Sequence, residues 1–508
     1  MFVFSVFVEL LLLCTPNAWA VPSYTRRYGV ECTTCHSVWG ALTQAGNTFK
    51  LSGYRAINGV DVKPESEDIE IAHGTLTMPT TLPLSFVTGV GVDSRSEKRT
   101  YSGAINSGVT GATDKQTGAT FALEDASIFM TSPIGKHLAA FVEFPMYEAR
   151  AWEFTPTGLS SVYAANYVGA PRHLKFATEQ PGFEVAKFFW NNLAGDSMPR
   201  DSLNLLFGIT HLPLAYSPGK VRLPVNQDLI YERRALDLIS RTPTDTLLGT
   251  ENNDGLFRLS EPQGIVELFG MFVPGGEVTD VKNSIWGEYH LGLSNGSNAK
   301  AANTPRKDVY GRFTMRGKGQ SIGFFAYHSA DTYGDDQRSA GRIDLANTNL
   351  NDPKALPLGI MSGADSANSH STYGPNFTLS LMPFGIPVWL DNDIMYRRES
   401  SPTGFDVAFK WKGGFHQLNW AVSKQTMAYA RYDWIHGDRF DDTHATANGV
   451  TGTSLVQPRE KDYVLGAQTL IAPNLKLIGE FRNHKFDDLA SGGSLTDNGF
   501  TVRFMIGF

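Results

Sequence analysis

From about Leu82 to the C-terminus, apolar and polar residues alternate with a period of two, the repeat of a strand that has one apolar and one wetted face. The last segment is the clearest. Phe500, Val502, Phe504, Ile506 and Phe508 fall on one face, and Thr501, Arg503, Met505 and Gly507 on the other. Leu477, Gly479 and Phe481 alternate in the same way with Lys476, Ile478, Glu480, Arg482 and His484. Ala428, Ala430, Tyr432 and Trp434 alternate with Tyr429, Arg431 and Asp433, and Val309, Gly311, Phe313 and Met315 with Tyr310, Arg312 and Thr314. Strands are expected to start near residues 82, 119, 137, 182, 203, 264, 283, 308, 321, 372, 388, 404, 425, 462, 475 and 499, sixteen in all.

A soluble sandwich has the same one-sided alternation, but three features favour a membrane barrel. The polar face carries charged residues, as a wet lumen does. Aromatics such as Tyr432, Trp434 and Phe508 gather near strand ends, as girdles do. Connections alternate in length. Short turns are expected at Ser132-Pro133-Ile134-Gly135, Gly317-Lys318-Gly319, Pro383-Phe384-Gly385 and Ala472-Pro473-Asn474. Long polar loops are expected near 213–262, 332–371, 437–459 and 487–498. The expected fold is therefore all-β: an antiparallel transmembrane β-barrel of approximately 16 strands over residues 81–508. An even count leaves both barrel ends in the periplasm, and Phe508 resembles the terminal signature of outer-membrane barrels. The expected location is the bacterial outer membrane, with outer-membrane lipid as a partner.

Residues 1–20 read as a signal peptide, with apolar runs at Phe2-Val3-Phe4 and Leu11-Leu12-Leu13 and a small-x-small cleavage site at Ala18-Trp19-Ala20. No later stretch reaches the roughly 18 apolar residues of a transmembrane helix. Loss of Glu9 with the leader takes the formal charge from −7 to −6. A mildly acidic chain argues against a nucleic-acid partner, which calls for a basic face. Of three cysteines, Cys14 leaves with the leader, so only Cys32 and Cys35 remain, with His36 adjacent.

Cys32-Thr33-Thr34-Cys35-His36 is a C-x-x-C-H sequence, the attachment signature of a c-type haem. Each thiol makes a thioether to one vinyl group, and the adjacent histidine reaches the iron as an axial ligand. A zinc site would need further ligands that no remaining cysteine supplies, and a thioredoxin-like pair would need a βαβ context. A disulfide is the remaining alternative in an exported chain. Residues 21–80 are expected to form a small segment carrying one covalent haem c. It either plugs the lumen or hangs beneath it. Met78 is the first candidate for the second axial ligand and His73 the alternative; a ligand from the barrel wall, or an open site, also fits. Trp39, Leu42, Phe49, Leu51 and Tyr54 are expected to pack the haem, and Arg26 and Arg27 to pair with its propionates or to lie in solvent.

The run Pro22-Ser23-Tyr24-Thr25-Arg26, Tyr28-Gly29, Cys32 to His36, Leu42-Thr43, Gly46 and Phe49-Lys50-Leu51-Ser52-Gly53-Tyr54 resembles the fused cytochrome–porins, the outer-membrane cytochromes of iron-oxidising bacteria. The resemblance implies that Cys32 and Cys35 hold the haem and His36 its iron. It also implies an iron(II)-oxidising oxidoreductase that takes electrons from extracellular Fe(II) and passes them to a periplasmic carrier, a cytochrome c or copper protein. A diffusion porin with a haem-bearing segment, or a redox conduit for another donor or acceptor, is the alternative. His436, Asp438, Asp441, Asp442 and His444 in one loop, and Asp331, Asp335 and Asp336 in another, are candidate Fe(II) docking groups whose ordinary role is solvation.

Overall fold

The structure is a computed structural model. It describes residues 23–28, 30, 32–38, 41–55, 68–71, 76–79, 83–101, 113–134, 137–156, 172–179, 185–216, 229–233, 235, 238, 258–274, 285–296, 307–332, 367–400, 407–440, 457–472, 474–489 and 493–507. The expected signal peptide, residues 1–20, lies outside the described residues.

The strands form one closed barrel. In chain order they are β1 (Leu84–Tyr101), β2 (Thr113–Ile134), β3 (Leu138–Pro156), β4 (in two pieces, Arg172–Glu179 and Val185–Trp190), β5 (Asn204–Thr210), β6 (Gln263–Phe272), β7 (Trp286–Ser294) and β8 (Asp308–Gly317). Then follow β9 (Gln320–Thr332), β10 (Ala367–Ser380), β11 (Val388–Glu399), β12 (Phe409–Ala421), β13 (Thr426–Gly437), β14 (Arg459–Ala472), β15 (Leu475–Leu489) and β16 (Gly493–Gly507). Both pieces of β4 pair antiparallel with β3, so they continue one strand line and the barrel has sixteen strands. Each strand pairs with its chain neighbour, and β16 closes on β1 in register from Gly493↔Tyr101 to Gly507↔Val87. Closure pairs the first strand with the last, the condition for crossing lipid with strands.

The expected faces are the observed ones. Val309, Phe313, Leu465, Phe481 and Phe500 are exposed on the exterior, whereas Tyr310, Arg312, Arg431, Asp433, Glu480 and His484 are buried inside. Across the wall, Asp433 lies opposite Asp462, Asp462 opposite His484, His484 opposite Asp497 and Asp497 opposite Glu97. An arginine one step along the barrel neutralises three of these acids: Arg431–Asp433, Arg482–Asp462 and Arg95–Asp497, each at 2.7 Å. Such pairs sit on the inner face because an apolar exterior in lipid gives charge no partner. An apolar outer surface around a closed, charge-lined barrel is that of an outer-membrane protein.

Three expectations about connections change. The segment 487–498 is mostly strand: β15 runs to Leu489 and β16 starts at Gly493, with Phe486 opposite Leu495 and Leu489 opposite Gly493. Within the expected extracellular loop 213–262, the described residues Leu214, Leu229, Ile230, Tyr231 and Leu259 are buried in the central core rather than solvated. Of the expected short turns, Ser132, Pro133 and Ile134 belong instead to β2, where they pair with Ala140, Ala139 and Leu138 of β3, and the two at Lys318 and Phe384 fall as expected. Lys318 and Gly319 turn the chain with φ of 50° and 76°, and Met382–Phe384 forms a 3-10 turn closed by Gly385.

Leu465, in the middle of β14 and facing outward, should tolerate no cation. Leu465→Arg is expected to destabilise the reconstituted barrel by roughly 2–4 kcal/mol, read as a lowered urea midpoint. An unchanged midpoint would place this face away from lipid.

Candidate functional site: a segment lodged in the barrel lumen

The described part of the N-terminal segment contains three helices and two short strand pairs. Helix α1 spans Ser23–Tyr28, α2 Cys32–Cys35 and α3 Gln44–Leu51. Both cysteines thus lie on one helical turn, with His36 next in a short strand, His36–Val38, paired with Ala41–Leu42. Thr43 organises the turn. Its hydroxyl accepts from the Gly46 amide at 3.0 Å, capping α3, and donates to the Thr34 carbonyl at 2.8 Å. Its own amide donates to the Cys35 carbonyl at 2.8 Å. Gly46 lies so close to that carbonyl that a Cβ there would sit 2.1 Å from the Cys35 oxygen. The glycine lets the α3 backbone seat directly on the cysteine turn.

The segment lies against the inner wall of the barrel, at the end where the chain enters and leaves it. The Ser23 amide donates to the Ser85 hydroxyl of β1 at 2.7 Å, and the Ser23 hydroxyl shares a 2.9 Å bond with Thr131 of β2. Tyr54 stacks on Tyr24 at 5.0 Å and on Phe141 of β3 at 6.0 Å, and meets Phe189 of β4 edge-on at 5.4 Å. Phe49 packs edge-on against Tyr24, Tyr28 and Tyr54. Below Tyr54, Asn191 is fully buried. Its carboxamide accepts from the Arg55 guanidinium at 3.0 Å and donates to the Leu51 carbonyl at 3.2 Å. Gly53, with φ of 66°, brings the chain so near that a Cβ would fall 2.0 Å from the Asn191 oxygen. Burial of Tyr54, Phe49 and Leu51, worth about 1.5–3 kcal/mol per large apolar side chain, joins these side chains to the wall core. Lys50, at the end of α3, feels Glu288 and Glu267 as attractive charges and Arg312 and Arg316 as repulsive ones, all from the facing wall.

The connection between β5 and β6 adds a second insert. Helix α4 (Leu229–Glu232) sits inside, with Ile230 and Tyr231 fully buried. Arg397 of β11 donates to the carbonyls of Ile230 at 3.2 Å and Arg233 at 2.7 Å. The Arg233 guanidinium forks onto Glu460 of β14 with both Nε contacts at 2.9 Å, and Glu460 is also held by His484 at 2.6 Å. The Tyr231 hydroxyl donates to Asp393. Upstream, Arg312 donates to the carbonyls of Pro213 and Leu214 at 3.2 and 3.1 Å. The lumen is thus occupied from two directions.

The expected site residues fare unequally. Cys32 and Cys35 fall on one turn as their spacing requires, and Cys35 is half-buried against the same core as Phe49 and Tyr54. His36 is placed by its backbone alone. Met78 lies in a short strand, Leu76–Pro79, paired with Asp68–Ile71; its side chain, like that of His36, is outside the described atoms, and His73 and Trp39 are outside the described residues. The donor set fits a covalent haem as far as it is described: two cysteines one turn apart, histidine following, and an aromatic cluster around the turn's partner helix. Arg27 is buried and lies over the Tyr28 ring at 5.6 Å, in place of a solvated position. Of the groups considered for Fe(II), His436 and Asp438 are exposed at the end of β13, Asp331 lies at the end of β9 with its side chain undescribed, and Asp441, Asp442, His444, Asp335 and Asp336 are outside the described residues. Among the described residues no three histidine, cysteine or carboxylate side chains are grouped to hold a metal ion. Asn191, Ser23, Arg55 and Phe189 were not foreseen as docking residues, because nothing local in the sequence marks a contact 62 to 140 residues away.

No family model matches the sequence, and no curated protein matches it. Solved structures with a similar arrangement include the outer-membrane channel DcaP of Acinetobacter baumannii, at 10% identity over 84% of this chain and 97% of that one, with a TM-score of 0.42. The anion-selective porin from Comamonas acidovorans is 10% identical over 84% and 100%, with a TM-score of 0.42. Pseudomonas putida OprB is 8% identical over 83% and 94%, with a TM-score of 0.41. The expectation of an iron(II)-oxidising oxidoreductase is corrected: what the described residues build is a closed sixteen-strand barrel with a charged inner face. That expectation came from the resemblance over residues 22–54, a short part of a chain most of which is barrel.

Because the α3 backbone meets Cys35 without room for a Cβ, Gly46→Ala is expected to lift the helix off the cysteine turn at a cost of roughly 1–3 kcal/mol. Faster amide exchange at Leu51 and Ser52 would report it; unchanged exchange would remove the packing argument. Asn191→Ala breaks two buried hydrogen bonds, and the same segment should loosen by about 1–3 kcal/mol on the same readout.

Proposed function

We propose that this chain is an outer-membrane diffusion channel narrowed by its own N-terminal segment, and that this segment carries one covalent haem c. The observation that carries the channel reading is Tyr54 wedged between Phe141 and Phe189 inside the barrel, with Ser23 and Arg55 hydrogen-bonded to the wall on either side. A segment attached in this way occupies the mouth that a solute would use. The inserted β5–β6 connection, tied down by Arg397 and Glu460, narrows the remainder.

The haem reading rests on Cys32-Thr33-Thr34-Cys35-His36 and on the helical turn that spaces its thiols. Cys32 and Cys35 would hold the group covalently, His36 would bind one axial position, and Met78 or His73 the other. A haem there would supply a one-electron redox centre at the periplasmic mouth, where a periplasmic electron carrier is the fitting partner. Thr43 and Gly46 set the cysteine turn against α3, and Tyr24, Tyr28 and Phe49 exclude water from that side.

Conductance of the full-length protein in planar bilayers, compared with the Tyr54→Ala/Arg55→Ala variant, tests the channel. Small unitary steps in the native chain and several-fold larger steps in the variant are expected. Equal, large steps in both would remove the plug, and no conductance in either would remove the channel. A haemochrome spectrum of protein matured with a working attachment system tests the haem separately: a c-type spectrum is expected, and its absence would leave Cys32 and Cys35 to a disulfide.

A further inference from the structure

The turn between β10 and β11 is unlike its neighbours. From Leu379 to Leu390 the chain carries no charged residue. Four of its side chains are turned into open surroundings: Leu381 is 45% exposed, Met382 46%, Phe384 78% and Ile386 48%. The turns flanking it at this end of the barrel present charge, with Lys318 between β8 and β9 and Lys424 between β12 and β13, as does the β4–β5 turn with Asp196 and Arg200.

The apolar turn cannot fold back to hide these side chains. The Leu381 amide donates to the Val388 carbonyl at 2.9 Å, closing the loop at its base. The Phe384 and Gly385 amides donate back to Leu381 and Met382, each at 2.9 Å. Gly385, with φ of 78°, takes the left-handed position that ends the 3-10 turn, and Pro383 and Pro387 stiffen both sides. A rigid, uncharged, apolar projection is stable where something apolar covers it.

Its surroundings identify the cover. Leu379 on β10, Leu418 and Trp420 on β12 and Val422 just beyond are exposed on the lipid-facing exterior. The apolar surface therefore continues without a charged break from the membrane belt onto the turn. We propose that the Leu381–Pro387 turn is an interfacial anchor whose Leu381, Met382, Phe384 and Ile386 side chains insert among the phospholipids of the inner leaflet. It deepens the belt on one side of the barrel, at the end where the N-terminal segment docks. The flanking turns expose Lys318 and Lys424 instead, so the anchor fixes the depth and tilt of this side of the mouth.

Photo-crosslinking of the full chain in its own outer membrane tests the assignment. A benzophenone amino acid replaces Phe384, and in separate chains Leu465, as a belt control, or Lys318, as a wet-turn control. Phe384 is the most exposed of the four, so the replacement leaves the fold intact, checked by heat-resistant migration of the barrel. Irradiation is expected to add the mass of a phospholipid at position 384 as it does at 465, with that adduct lost at 318. Covalent dimers or other protein adducts at 384 would overturn the proposal in favour of a protein partner. A lipid adduct at 465 with none of any kind at 384 would overturn it in favour of an exposed turn.

Discussion

A chain that crosses lipid with strands must satisfy every backbone amide and carbonyl without water. The antiparallel pairing of the last strand with the first meets that demand, and the rest of the structure follows from it. Once the sheet is closed, each strand has one face toward lipid and one toward the lumen, and a one-residue shift would exchange them. Charge is then confined to the inner face. There Arg431, Arg482 and Arg95 neutralise Asp433, Asp462 and Asp497. The same wall offers Glu460 to Arg233 and Asn191 to Arg55, so the polar lining that suits a water-filled lumen also receives the inserts that occupy it.

The two inserts are held by different means. The N-terminal segment docks mainly through aromatic packing of Tyr54 and Phe49, with hydrogen bonds at Ser23 and Asn191 fixing its orientation. The β5–β6 connection is held by charge-assisted bonds from Arg397 and Arg233 to groups in the lumen. Buried charge-assisted bonds resist displacement because each broken one strands a charge away from water. The aromatic wedge is joined by a charge-assisted bond, from Arg55 to the Asn191 carboxamide. The cysteine turn rides on the N-terminal segment through Thr43 and Gly46.

Much of the barrel was legible in the sequence because lipid on one side and charge on the other impose a strict period of two. Phe500 and Phe481 outward, Glu480 and Arg482 inward, could be assigned from spacing alone. Legibility failed at the strand ends. Asp487 to Leu489 and Gly493 to Asn498 read as loop because the alternation weakens there, yet the strands run through them. It failed again for the lumen contents. Leu229-Ile230-Tyr231 is an apolar run inside a polar loop and was a usable signal for burial, but its partners Arg397 and Asp393 are more than 160 residues away. The cysteine turn was legible as chemistry, because two thiols and an imidazole at fixed spacing are rare. Its place against β1 to β4 was not, since serine, threonine and asparagine side chains carry no mark of the strand they meet.

The account depends on the N-terminal segment lying inside the barrel, and one crosslink examines this directly. The hydroxyls of Ser23 and Thr131 are 2.9 Å apart, so Ser23→Cys with Thr131→Cys brings two thiols together only if α1 lies against β2. In the folded, full-length protein, peptide mass mapping should find a bridge between positions 23 and 131, distinguished from any involving Cys32 or Cys35. If the cysteine at 23 instead reacts fully with a water-soluble maleimide in the intact barrel, with no bridge to 131, the segment lies outside the lumen and the plugged-channel account is wrong.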